Sequence, residues 1–171
     1  ALRSASVRLY STATVLGIME EHLLNGKVYP QFQNLPPGRP TLSLNPIRPY
    51  EPASINGHDI LAIPVRHYVE TVGYQVSDHL GKTIFYTSDT GPGLADCWRH
   101  ISPQLLIIDV SLPNAYERFA CNTGHLTPQL LQQELVSFRE FKDYLPQVVA
   151  VHMDAGLEEQ QHQADFSQSF D

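Results

Sequence analysis

The chain has 171 residues, a formal net charge of −7 and a pI of about 5.5. The length suffices for one domain with a real core. The charge is the wrong sign for generic binding to duplex DNA, although a small anionic substrate held through metal ions remains compatible with it. Two widely spaced cysteines without a CxxC and no apolar run near the roughly 18 residues of a membrane span argue against a disulfide framework and a membrane partner, which makes a reducing, cytoplasmic setting the default.

Ala5 to Tyr10 reads as a short strand. Ser11 to Thr14 offers helix N-caps, and Val15, Ile18, Met19, His22 and Leu23 follow at helical spacing until Asn25-Gly26. Val28 to Phe32 is aromatic and broken by proline, and Asn34 to Pro40 is a Pro/Gly loop. Strands are expected over Leu42 to Ile47 and Ala53 to Ile55, and Asn56-Gly57 is the strongest hairpin signal. Beyond it, Leu61, Ile63 and Val65 alternate up to His67, and Val72, Tyr74 and Val76 alternate again. Thr83 to Thr87 is a nearly continuous apolar strand ending at Ser88-Asp89-Thr90-Gly91. Leu94 to His100 predicts a short helix, Gln104 to Val110 a buried strand and Asn114 to Cys121 a helix. Thr127 can cap a helix over Pro128 to Tyr144 with Leu130, Leu131, Leu135 and Phe138 on one stripe. Gln147 to Val151 is a last apolar strand, ending at His152. Strands alternating with helices predict a layered α/β domain.

His67, Asp89 and His152 each directly follow an apolar strand, and His125 precedes a helix. Imidazole and carboxylate are common ligands of first-row metals, and a carboxylate can bridge two ions. The spacings of 22, 36 and 27 residues are too long for a zinc finger and suit a site assembled from several loops. Each residue alone also has a plain reading: Asp89 and Asp109 as turn or cap residues, His22 and Asn25 as the end of a helix. Tyr29, Phe32, Tyr74, Cys97 and Trp98 read as packing residues, and His58, His79, His100 and His162 as surface ones.

Taken together the motifs resemble the metallo-β-lactamase fold, in the phosphodiesterase branch that includes ribonuclease Z and the class II cyclic-nucleotide phosphodiesterases. The matches, in order, are Pro64-Val65-x-His67, Thr71-x-Gly73-Tyr74, Ser88-Asp89-Thr90-Gly91, Gly124-His125-Leu126-Thr127 and Val151-His152. His22-Leu23-x-Asn25-Gly26 and Tyr29-Pro30-x-Phe32 favour the cyclic-nucleotide branch. The resemblance implies an αββα four-layer sandwich over residues 1–155, with 156–171 a polar tail. It implies two divalent metal ions, zinc first with manganese or iron as alternatives. His67 and His152 would each complete one ion's ligands, and Asp89 would bridge both. His125 would be the catalytic residue that assists the departing oxygen, Asp109 would orient a histidine, and His22 and Asn25 would line the substrate pocket.

The family signature HxHxDH, which supplies most metal ligands, does not occur; no two of the eight histidines stand two residues apart. The expectation is therefore a C-terminal portion of a longer enzyme, lacking the first strands and the HxHxDH loop and nearly inactive alone. Asp109 is a second departure, because relatives usually carry Glu there. The implied reaction is hydrolysis of 3′,5′-cyclic nucleotides by a metal-activated hydroxide, with a small-molecule cyclic nucleotide as partner, no DNA, and a homodimer left open. Two alternatives stand beside it: a ribonuclease Z-like endonuclease for transfer RNA ends, and a non-catalytic fragment or pseudoenzyme.

Overall fold

The computed structural model describes residues 6–153, which fall into two compact units, one running to Glu51 and the other starting at Pro52. The expected tail 156–171 and His162 lie outside the described residues. In the first unit, β1 (Val7–Ser11) pairs in parallel with β2 (Leu42–Pro46), and α1 (Ala13–Ile18) lies between them in sequence. Thr12 is the N-cap of α1, its hydroxyl oxygen accepting the Val15 N–H at 3.2 Å. Here the helical stripe departs from expectation. After Ile18 the chain widens into a π-helical turn, Met19–Leu23, so the buried positions become Leu16 and Leu24, while Ile18 and Leu23 face solvent. Tyr29 and Phe32, expected to pack, are exposed.

The second unit is a six-stranded sheet in the order β3 (Ala53–Ile55), β4 (His58–Val65), β5 (Thr71–Ser77), β6 (Thr83–Tyr86), β7 (Leu105–Asp109), β8 (Gln147–Val151). The first four strands run antiparallel to their neighbours, and β6, β7 and β8 run parallel. Asn56 and Gly57 turn the β3–β4 hairpin with φ of 53° and 80°, the left-handed pair that an Asn-Gly turn provides. Parallel strands need crossovers: α2 (Ala95–His100) joins β6 to β7, and α3 (Glu117–Thr123) and α4 (Pro128–Lys142) join β7 to β8. The expected helix at Asn114 opens instead as a 3₁₀ turn, Asn114–Tyr116, before α3 begins. α4 stops at Lys142, where Asp143 turns left-handed at φ 61°.

Alternation along β6 sets the layers. Phe85 is fully buried while Ile84 and Tyr86 look outward and are partly exposed. Phe85 joins Ile63, Leu106 and Ile108 of the sheet and Trp98, Leu131, Leu135 and Phe138 of the helices in one core. The Trp98 and Phe138 rings meet edge to face at 5.3 Å. Gly73 on β5 makes room for this core, since a Cβ there would meet Phe85 Cζ at 2.5 Å. Among the described residues no helix is long and apolar enough to cross a membrane.

The topology fixes where a site can form. β4 runs opposite to β5, and β5 opposite to β6, so the C-terminal ends of β4, β6, β7 and β8 share one edge of the sheet. His67, Asp89, Asp109 and His152 are at or just past those four ends. In open α/β sheets this edge is where ligands bind.

Candidate functional site

Asp109, the last residue of β7, is at the centre and is completely buried. Its Oδ2 accepts the Thr90 N–H at 3.0 Å and lies 2.7 Å from His125 Nδ1. Its Oδ1 accepts the Ser111 hydroxyl and lies 3.5 Å from His152 Nδ1. Ser111 Oγ is also 3.2 Å from His125 Nδ1 and 3.1 Å from His152 Nδ1. A carboxylate can only accept, so the protons belong on Ser111 Oγ and on the two Nδ1 atoms. His152 Nδ1 stands 3.2 Å from Asp89 Oδ1 as well.

His67 is fixed from a different direction. Its Nδ1 is 2.9 Å from the Gly124 carbonyl oxygen, which likewise only accepts. His67 and His125 meet edge to face at 5.0 Å, and His125 and His152 lie 5.5 Å apart. Three imidazoles are thus held by their Nδ1–H groups, and each keeps Nε2 as its basic nitrogen. This is the usual way a protein orients histidines for metal binding or proton transfer.

Local backbone features deliver these side chains. Ser88 and His152 adopt left-handed φ of 59° and 66°, uncommon for residues other than glycine. The Ser88 hydroxyl donates to the Val72 carbonyl at 3.0 Å, and Gly91 N–H donates to Arg66 O at 2.6 Å, clipping the Asp89 loop to the start of β5 and the end of β4. Gly124 ends α3 at φ 79°, and the next residue's N–H reaches back to Ala120 O at 2.9 Å. A Cβ on Gly124 would lie 2.8 Å from His67 Cα and 2.9 Å from its Nδ1. Gly124→Ala is therefore expected to cost about 2–4 kcal/mol through left-handed strain and steric overlap. It should also detach His67 Nδ1 from its carbonyl. Urea unfolding reads the first effect and the imidazole ¹H–¹⁵N NMR signals of His67 read the second.

The structure brings His67, Asp89, Asp109, His125 and His152 together. His22 and Asn25 belong to the other unit. His22 is exposed, 3.9 Å from Glu21, and Asn25 spends its side chain on the Glu21 carbonyl at 2.7 Å and the Lys27 N–H at 2.9 Å. Ser111 and the Gly124 carbonyl were not predicted as parts of the site; Ser111 follows Asp109 closely in sequence, whereas the carbonyl leaves no signal there. Cys97 and Trp98 are buried packing residues, and burial above all, with Asp96 and Glu134 nearby, pushes the Cys97 thiol far up.

The donor set suits a divalent metal. Asp109, His125 and His152 each offer a ligand atom within 4.8 Å of the others, and Asp89 adjoins His152. Mixed imidazole and carboxylate donors are acceptable to zinc, manganese or iron alike. An apolar cleft of about 370 Å³ opens beside them, lined by Ser111, Leu112, Phe119, Thr123, His125, His152 and Met153.

Residues 1–153 match the family described as beta-lactamase superfamily domain. No curated protein matches the sequence. Among solved structures, the chain is similar to unliganded yeast PDE1 at a TM-score of 0.79 and 16% identity, covering 93% of this chain and 52% of that one. It is similar to the metallo-beta-lactamase fold protein YhfI from Bacillus subtilis at 0.67 and 14%, covering 95% and 59%. It is also similar to human tRNase Z, short form, at 0.61 and 15%, covering 92% and 64%. The fold is thus the metallo-β-lactamase fold, an α/β sandwich, and the chain spans about half the length of yeast PDE1.

Proposed function

The chain belongs to the beta-lactamase superfamily, and from that premise we propose that it serves a metal-dependent phosphodiester hydrolase acting on 3′,5′-cyclic nucleotides. The observation that carries this reading is the convergence of His67, Asp89, Asp109, His125 and His152 at one edge of the sheet, three imidazoles being anchored through Nδ1. His67, Asp89 and His152 would hold the ions, zinc being the first expectation. A bound divalent ion supplies positive charge against phosphoryl oxygens and makes water more acidic. His125 is held at Nδ1 by Asp109, which leaves the basic Nε2 to take up a proton from solvent and pass it to the departing 3′ oxygen. The motifs His22-Leu23-x-Asn25-Gly26 and Tyr29-Pro30-x-Phe32 support the cyclic-nucleotide choice. The net charge of −7 favours a small anion over transfer RNA, although the likeness to human tRNase Z, short form, keeps an endonuclease as the second reading.

HxHxDH is not among these 171 residues, so the chain's own donors form only part of the family's ligand set, and low activity is expected of the chain alone. The test, made on the complete protein, measures bound metal after dialysis and hydrolysis of cyclic AMP together. His67→Ala, Asp89→Ala and His152→Ala should lower metal content and turnover in parallel. His125→Ala should keep the metal and lose turnover by about 10²–10⁴-fold. Metal lost along with turnover in the His125 variant would make it a ligand instead. Wild-type protein with no metal and no hydrolysis would leave the non-catalytic alternative.

A further inference from the structure

The cleft beside the histidines has a wall that the chemistry above does not use. Phe119 on α3 is 58% exposed, an unusual position for a phenyl ring, and it lines the cleft together with Leu112, Thr123 and Met153. A second hollow, of about 330 Å³, lies against it with Tyr116, Arg118 and Asn122, so the ring stands between two open spaces. Its backbone is nonetheless firmly held. Ala120 is fully buried, the Thr123 hydroxyl donates to the Phe119 carbonyl at 2.9 Å, and His125 N–H donates to the Ala120 carbonyl at 2.9 Å. Phe119 and His125 are therefore carried on one short, braced piece of chain, with Gly124 between them tied to His67.

An exposed ring that lines the same cleft as His125 and His152 suits a substrate whose charged end is followed by a flat group. We propose that Phe119 is a specificity-determining residue, a stacking platform for the nucleobase of the substrate; this rests on the phosphodiester-hydrolase reading and specifies which diesters that site takes. The cleft volume lies within the range of small-ligand pockets, roughly 300–1,000 Å³. Met153, which also lines the cleft, supplies a thioether that favours contact with aromatic rings. Stacking is tolerant of base identity, so the platform would distinguish nucleotides from base-free sugar phosphates rather than adenine from guanine.

The test is isothermal titration of the zinc-loaded complete protein with adenosine 5′-monophosphate and with ribose 5-phosphate. Wild-type protein should bind the nucleotide about tenfold tighter than the sugar phosphate, in keeping with the measured strength of base–aromatic stacking. Phe119→Ala and Phe119→Leu should bring the ratio close to one, and Phe119→Trp should preserve it. An unchanged ratio in the alanine variant, no preference in wild type, or an equal loss for both ligands each overturns the proposal. Cyclic AMP hydrolysis, followed in the same preparations, separates the two readings. Hydrolysis with a preference independent of Phe119 removes the platform alone. A Phe119-dependent preference without hydrolysis of any phosphodiester removes the hydrolase reading and leaves the platform.

Discussion

Glu134→Ala is expected to destabilise the second unit by about 3–5 kcal/mol. Glu134 is on α4 and only 7% exposed. Its Oε1 accepts the Gly93 N–H at 2.6 Å, and its Oε2 accepts the Leu94 N–H at 3.1 Å and the Trp98 indole N–H at 3.2 Å. Two of these donors are backbone groups at the start of α2, where Leu94 has no capping side chain of its own. A carboxylate from a distant helix does the work of an N-cap. Alanine would leave three donors unpaired in a region where Leu94 and Trp98 are almost completely buried, and would open a cavity as well. Glu134→Gln should cost less, since one oxygen still accepts while its amide nitrogen opposes a donor. Urea unfolding followed by the fluorescence of Trp98, the single tryptophan, measures both variants. A loss below about 1 kcal/mol for the alanine variant would show that water or relaxation satisfies the three donors.

The sequence was most legible where one periodic signal decides an element. Leu61, Ile63 and Val65 of β4 share one core as their spacing requires, and Thr127 caps α4 with Pro128 at its first position. The strand-end histidines and aspartates could be read for the same reason, because a strand's end is set locally. What could not be read depends on partners far along the chain. Nothing near His67 reveals that its ring meets a carbonyl 57 residues later, or that the glycine there must lack a side chain. Glu134 lies among helix residues that look like solvent-facing polar positions, yet it is buried by a loop 40 or more residues upstream. Helical spacing presumes a constant pitch and so carries no sign of the π-helical turn at Met19. Phe119 reads as one more apolar helix residue, and only the shortness of α3 and the open space around it leave the ring uncovered.

Asp109→Ala should reduce zinc affinity by about 10–100-fold while leaving His67, Asp89 and His152 intact. This one buried side chain organises much of the site. Asp109 receives the Thr90 N–H, the Ser111 hydroxyl and the His125 Nδ1–H, and it stands within 3.5 Å of His152 Nδ1. Its loss frees His125 to turn, releases Ser111 from the position that contacts both histidines, and detaches Thr90, in the loop carrying Asp89, from the end of β7. The alanine variant should also lose about 2–4 kcal/mol of stability without metal, since the Thr90 N–H remains buried and unpaired. Asp109→Asn makes a finer distinction. Its carbonyl oxygen can stay opposite Thr90 and His125, where two donors converge, and its amide can donate to Ser111 Oγ. The acceptor facing His152 is then gone. Asparagine should therefore preserve His125 orientation and most of the stability but weaken metal binding through His152. Equilibrium dialysis with zinc and unfolding of the metal-free protein separate these effects. Wild-type zinc affinity in the alanine variant would mean that the histidines are oriented by their own loops and that Asp109 is chiefly a structural cap for Thr90.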